Sequence, residues 1–386
     1  MRIAVVGGGP GGLYLASWVK QFDPAGEVVV WERNPVGDTF GFGVVFSDGT
    51  LLGIKETDPA LYDAMAARSE RWADIAVRYR GEVVRSAGHG FAAIGRKELL
   101  RLLYRRCAEA GVTLRFGEQS PPVERLLAEY DLVVAADGAN SAIRSGRPDA
   151  FGTSLDTRCS RYIWLAVDKP FDALTFLVAE SGQGALHGHA YPFSAELSTF
   201  IVEADEHSWR AAGLDGPIAG VTPDGSDRFA VERLEEIFAD TLDGHRLTGN
   251  RSRWRRFTVV RNRRWHQGNL VLLGDAAHTT HFSIGSGTRL AMEDALVLAG
   301  LLRDHGCLGG GGGSPRAALV AYEQRRGPAV AAAQRAAQAS LEWFEDIGLA
   351  MGREAPQFAF ELLTRGGRLS YEDLTAVVRP SDSSFR

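Results

Sequence analysis

"RIAVVGGGPGG", Arg2–Gly12, decides the fold. An apolar run of strand length enters a glycine-rich turn, and "LYLASWVKQF" follows with apolar residues at helical spacing (Leu13, Leu15, Ala16, Val19). "EVVVWER", Glu27–Arg33, reads as a second buried strand. Strand, turn, helix and strand together make a β-α-β unit of roughly thirty residues. Gly7, Gly9 and Gly12 fit G-x-G-x-x-G, with Pro10 inside the turn. The first glycine permits the tight turn. The second admits a pyrophosphate to the backbone at a helix N-terminus, and the third lets helix pack on strand. Glu32 ends the second strand, about twenty residues on, where an acid accepts a hydrogen bond from a ribose hydroxyl.

A second glycine-rich turn, "GDAAHTTHFSIGSGTRLAMEDA" (Gly274–Ala295), opens another helix far along the chain. One nicotinamide dinucleotide needs a single such turn. FAD is longer: Asp275 would meet its ribityl hydroxyls, and the helix after Gly285–Gly287 would aim its N-terminus at the flavin N1–C2=O edge. One long ligand, touched at both ends, accounts for both turns.

Between the turns the texture changes. "RKELLRLLYRRCAEAG" (Arg96–Gly111) is an amphipathic helix, and "YDLVVAADGANSAIR" (Tyr130–Arg144) is a buried strand entering a turn. From Thr157 to Phe257 the runs "RYIWLAVD", "LTFLVAE", "ALHGHAYPF" and "LSTFIVEAD" predict an antiparallel sheet. The α/β texture returns at "NLVLLGDAAH". "LGGGGGS" reads as a flexible loop tip, and Ala317–Leu363 as mostly helix. The expected fold class is therefore α/β: a Rossmann-like domain split in sequence, with a β-rich domain inserted.

The formal net charge of -5 leaves no basic footprint for nucleic acid or an anionic membrane. No apolar run is long enough for a signal or a membrane span. Cys107, Cys159 and Cys307 are odd in number and far apart, with neither disulfide nor metal-ligand spacing. Reduced thiols, a cytoplasmic location, no metal and no obligatory partner protein are the expectations.

Three segments in order, "GGGPGG", "DLVVAADGANSAIR" and "NLVLLGDAAH", resemble the fingerprints of the class A, single-component FAD aromatic hydroxylases. The resemblance implies an FAD-binding domain of the glutathione-reductase type, a substrate domain on an antiparallel sheet, and C-terminal helices. The expected bounds are 1–75, 96–156 and 265–305 for the FAD domain. They are 76–95 and 157–264 for the substrate domain, and 315–386 for the helical region. Arg96 matches the arginine this family places near the pyrophosphate. Asp137 and Gly138 match its motif for FAD and NAD(P)H handling. Arg33, Gly274, Asp275, Gly285, Ser286, Gly287 and Thr288 complete the implied cofactor set.

Where the family usually continues with proline, Gly-Gln-Gly and asparagine, this chain has Phe282, Ser286 and Arg289. "HFSIGSGT" and "GFGVVFSD" (Gly41–Asp48) are instead similar to a subgroup acting on aryl-CoA thioesters, the salicylyl-CoA 5-hydroxylases and anthraniloyl-CoA monooxygenases. The implied chemistry has NADH or NADPH reduce tightly but non-covalently held FAD. O2 then adds as a C4a-hydroperoxide, and the distal oxygen attacks an electron-rich ring carbon. For salicylyl-CoA that is the carbon para to the hydroxyl, and the product is gentisyl-CoA. An anthraniloyl-CoA or a tryptophan- or indole-type substrate is the alternative.

His281 is placed beside the flavin by this resemblance, with Phe282 next to it. His187, His189 and Tyr191 alternate on one strand and share a face: either it meets the flavin, where one of them, such as His189 or Tyr191, would orient or deprotonate the substrate hydroxyl, or it is an exposed polar face of the sheet. His278 reads as structural. The arginine-dense stretch "NRSRWRRFTVVRNRRW", with Arg253, Arg255 and Arg256, is either a holder of CoA phosphates or a solvated strand face. A halogenase, a plain NAD dehydrogenase and a redox-silent flavin binder are the competing classes. The first lacks its W-x-W-x-I-P pattern here, and the second leaves the two later fingerprints unexplained.

Overall fold

In the computed structural model the chain is described at residues 1–181, 184–216, 220–367 and 378–379. It divides into two compact units. The first comprises Met1–Thr39, Lys97–Asp156 and Thr258–Arg335, and the second Phe40–Arg96, Thr157–Phe257 and Ala336–Arg386.

The first unit is built on a six-stranded sheet. β1 (Arg2–Val6) lies at its centre, flanked by β2 (Glu27–Glu32) and by the strand Leu132–Ala135. Thr113–Phe116, Leu270–Leu272 and His266–Gln267 complete it. All pairings are parallel except the edge pair His266–Gln267 with Leu270–Leu272. The central strands are apolar because helices cover both faces of such a sheet; Ile3, Ala4, Val5 and Leu132–Ala135 have no exposure. α1 (Pro10–Phe22) starts at Gly9 with proline in its first turn, where a missing N–H costs nothing.

The second unit carries a larger sheet. Thr153–Val167, Ser198–Ala204, Gly184–Pro192 and Leu174–Ser181 pair antiparallel in that order, as expected. Leu174–Ser181 then pairs parallel with Ile75–Tyr79, so the sheet is mixed rather than purely antiparallel. Ile163, Leu165, Phe200 and Val202 on one face pack against Val231, Leu234 and Phe238 of the helix Arg228–Ile237 and its end. The other face meets the C-terminal helices: Ile75, Val77, Tyr79 and Phe176 cluster with Phe344, Phe358 and Leu362.

The units fall elsewhere than the sequence bounds. Residues 40–75 belong to the second unit. Gly43–Ser47 and Ser69–Trp72 both pair with Phe91–Gly95, and the Gly43 N–H donates to Thr199 Oγ1. A Cβ at Gly43 would lie 2.7 Å from that oxygen, so the approach requires glycine. The C-terminal helices form no third body: the long helix Pro315–Glu345 is shared by both units, and Ala355–Thr364 packs in the second.

Candidate active site and cofactor cradle

Gly7 has φ +116, and a Cβ there would lie 2.1 Å from the Ala136 carbonyl oxygen. Only glycine passes under the neighbouring strand's end. Gly9 caps α1 with nothing within 4 Å of its Cβ position, which leaves the approach to the helix N-terminus open. A Cβ at Gly12 would strike the Gly7 oxygen at 2.2 Å. Glu32 Oε2 accepts from the Gly8 N–H (2.8 Å), and Oε1 accepts from the Asn34 N–H (2.9 Å). The acid therefore braces the turn from the second strand and keeps further lone pairs to offer a ribose. Arg33 is exposed beside it.

Asp137 Oδ2 accepts from the backbone N–H of Ala142 at 2.9 Å. Its Oδ1 is buried and has no hydrogen-bond partner among the described residues. Gly138, at φ +83, has open space where a Cβ would be. Arg144 went unassigned in the sequence, yet it is 2% exposed and joins two motifs. Its guanidinium donates to the Ala139 oxygen (2.7 Å) and the Ala276 oxygen (3.1 Å). The arginine that closes "DGANSAIR" was the available signal.

Gly274 turns the chain at φ +61, and Asp275 is exposed on the short 3-10 turn Gly274–Ala276. Beneath it His278 Nε2 meets Asp294 Oδ2 at 2.7 Å, and Arg326 Nε donates to Asp294 Oδ1 at 2.6 Å. Burial alone would raise the Asp294 pKa; His278 and Arg326 outweigh it and hold the carboxyl below the ordinary range. These partners give His278 a structural place. Gly285, at φ +58, leads into Ser286, whose Oγ pairs with Thr280 Oγ1 at 2.9 Å. The helix Gly287–Asp304 then begins with Thr288 half-buried and with no side chain capping its first N–H groups. Such an end attracts negative charge. His281 is 1% exposed; its Nδ1 meets Ser283 Oγ at 2.9 Å, and its ring lies 4.1 Å from that of Phe282.

These features fit FAD: an orphaned acid oxygen, an open glycine approach and an uncapped helix end, all in the first unit. A family model described as an FAD binding domain matches residues 108–337. The chain belongs to the single-component FAD-dependent aromatic hydroxylases. This hydroxylase is 46% identical to salicyloyl-CoA 5-hydroxylase of a Streptomyces species, over 98% of this chain and 73% of that one. It is 40% identical to 3-hydroxy-4-methyl-anthranilyl-(aryl-carrier protein) 5-monooxygenase of Streptosporangium sibiricum, over 97% of each chain. Among solved structures, 2-methyl-3-hydroxypyridine-5-carboxylic acid oxygenase shares the fold with TM-score 0.68 at 20% identity, over 95% of each chain. FAD is the hydroxylase's cofactor, O2 its oxidant and NAD(P)H the reductant typical of the family. Among the described residues no helix is long and apolar enough to cross a membrane.

The remaining expected residues lie in the second unit. Arg96 opens the helix Arg96–Glu109, half-buried, with its N–H on the Phe42 oxygen at 2.6 Å. His187, His189 and Tyr191 do share a face, but it is buried: they are 2%, 4% and 5% exposed. The Tyr191 hydroxyl donates to the Gly43 oxygen at 3.0 Å, and burial pushes its pKa up to about 12. It stays neutral near pH 7 and accepts no proton there. His187 pairs with Glu203 at 3.1 Å, an acid whose strand position carried no signal in the sequence. His189 packs edge-on to Phe176, with ring centroids 5.0 Å apart.

The arginine stretch divides. Arg256 joins Arg161 and Arg210 around Glu206, whose pKa is drawn down to about 2 chiefly by the hydrogen bonds from Arg161 and Arg210. Arg253 and Arg255 are exposed and make no ion pair among the described residues.

Proposed function

We propose that this hydroxylase acts on an aryl CoA thioester, with salicylyl-CoA as substrate and the carbon para to its hydroxyl as target. The observation that supports this reading is 46% identity across 98% of the chain with salicyloyl-CoA 5-hydroxylase. When bound, FAD would supply the redox chemistry, with NAD(P)H as the source of electrons and O2 as the oxidant. One oxygen atom goes to the ring and the other leaves as water.

The chain's own part is to hold and to orient. Glu32 and the Gly7–Gly12 turn receive the dinucleotide end. Asp137 Oδ1 and Asp275 would accept hydrogen bonds from the cofactor, and the uncapped helix end at Gly287 would favour negative charge placed near it. Arg253 and Arg255, with no ion pair among the described residues, are assigned to the phosphates of CoA. His281 and Phe282 are assigned to alignment of the aromatic ring. An ortho-amino aryl thioester is the second reading, favoured by the 97% mutual coverage with the anthranilyl carrier-protein enzyme.

The test is NADH consumption and product mass with FAD-loaded protein. Salicylyl-CoA is compared with free salicylate, anthraniloyl-CoA and tryptophan. Rapid oxidation with one added oxygen atom on salicylyl-CoA alone is the expected result. Turnover of free salicylate or tryptophan in preference to either thioester overturns the thioester assignment. Charge reversal of Arg253 and Arg255 together is expected to raise the Michaelis constant for the thioester and leave turnover at saturation near wild type. Alanine at His281 is expected to uncouple NADH oxidation from hydroxylation.

A further inference from the structure

Three donor side chains converge inside the second unit. His187 and His189 stand two residues apart on the strand Gly184–Pro192, so both project to the same face. Glu203 is the direct cross-strand partner of His187 on the antiparallel neighbour Ser198–Ala204. Side chains directly opposite on one face lie close. One donor atom from each of the three lies within 4.8 Å of the other two. Exposures are 2%, 4% and 1%, so the cluster is screened from bulk water. The surrounding wall is aromatic: Phe344 stacks flat on His187 at 4.3 Å and lies 5.0 Å from His189.

Burying two imidazoles and a carboxylate in an aromatic pocket is costly unless the groups are paired or bound to a metal. The His187–Glu203 bond satisfies one nitrogen and one oxygen. The other nitrogen of His187, Nδ1, is buried with no hydrogen-bond partner among the described residues. Two neutral imidazoles and a carboxylate are the donor set that zinc and its first-row neighbours accept. Zinc–donor bonds are about 2.0–2.2 Å, and three protein ligands leave a fourth position for water.

We propose that His187, His189 and Glu203 form a binding site for one divalent transition-metal ion of the zinc class. The site lies on the sheet of the second unit and is separate in composition from the flavin cradle. It does not rest on the choice of aromatic substrate. With an ion in place, both imidazole planes are fixed by coordination, which holds the strand Gly184–Pro192 against Phe344. The sequence signal is the His-x-His pair at 187 and 189, legible as a metal pattern once the acid across the ladder is known.

The experiment uses full-length, FAD-loaded protein stripped with a chelator, equilibrated with zinc chloride and passed through gel filtration. Metal is then counted per chain. One zinc per chain is expected for wild type. Near-zero zinc is expected for Glu203→Gln and for His189→Gln, both checked for wild-type FAD content. Cobalt substituted into wild type gives a second readout that needs no variant: intense visible bands are expected from a four-coordinate site. Wild type that retains no zinc, variants that retain as much as wild type, or the weak spectrum of six-coordinate cobalt would each overturn the site.

Discussion

Asp294 has no exposed surface, and its two oxygens are divided between an imidazole and a guanidinium. Removing one member of a buried charged group strands the others. Arg326→Met is therefore expected to destabilise the protein by about 3–5 kcal/mol, read as a fall in the denaturant midpoint. Asp294 also accepts from the Gly274 N–H at 3.3 Å, so the same variant loosens the second glycine turn and weakens FAD binding, measured by fluorescence titration. The pH dependence has a definite sign. The folded pKa of Asp294 is depressed, so its stabilisation is complete above the unfolded carboxylate value of about 3.9 and is lost as pH falls through the folded value. Wild type should lose stability in that acid window, and Asp294→Asn should show a flatter acid limb. Cys107 contributes nothing there: burial raises its pKa to about 12, and its Sγ–H donates to the Leu13 oxygen at 3.1 Å.

At the scale of elements, α1 and the helix Gly287–Asp304 approach each other closely at a residue the glycine motif does not name. A Cβ at Gly11 would lie 2.7 Å from Leu273 Cδ2 and 3.1 Å from the Ala291 oxygen. Gly11→Val forces these elements apart, at a cost of about 1–3 kcal/mol. FAD affinity is expected to fall more than the same stability loss elsewhere would cause, because both glycine turns ride on these two helices. Gly53, exposed in the helix Asp48–Thr57 with nothing near its Cβ, serves as the control; Gly53→Ala should be neutral or slightly stabilising. The β-α-β opening and both glycine turns were legible because their chemistry is local: positive φ, a helix start, a short apolar run. The parallel pairing of Leu174–Ser181 with Ile75–Tyr79 was not, since no local pattern names a partner so distant in sequence. Glu203 was missed for a related reason. Within "STFIVEA" it reads as the polar end of a strand, and only the register across the ladder reveals His187. Residues 40–75 were assigned to the wrong side of the division because their anchors, Thr199 and Tyr191, lie more than a hundred residues downstream.

For the whole molecule, each unit is assembled from three separate stretches of chain. The cradle proposed for FAD brings together Gly7, Asp137 and Gly274, an arrangement that an unfolded chain lacks. Adding free FAD at a hundred times its Kd is therefore expected to stabilise the protein by about 2.7 kcal/mol, seen as a concentration-dependent rise in Tm. A Tm that ignores FAD would contradict the assigned cradle. The same assembly bears on how the protein is made. During synthesis β1 and its glycine turn leave the ribosome well before the strand Leu270–Leu272 and the helix that opens at Gly287. Until then the nascent chain has half a cradle, and its exposed Leu132–Ala135 edge has no neighbour on one side. Cofactor capture would in this sense report that synthesis has passed Gly287: a chain cut before that residue is expected to stay colourless and to present an open apolar strand to chaperones and proteases.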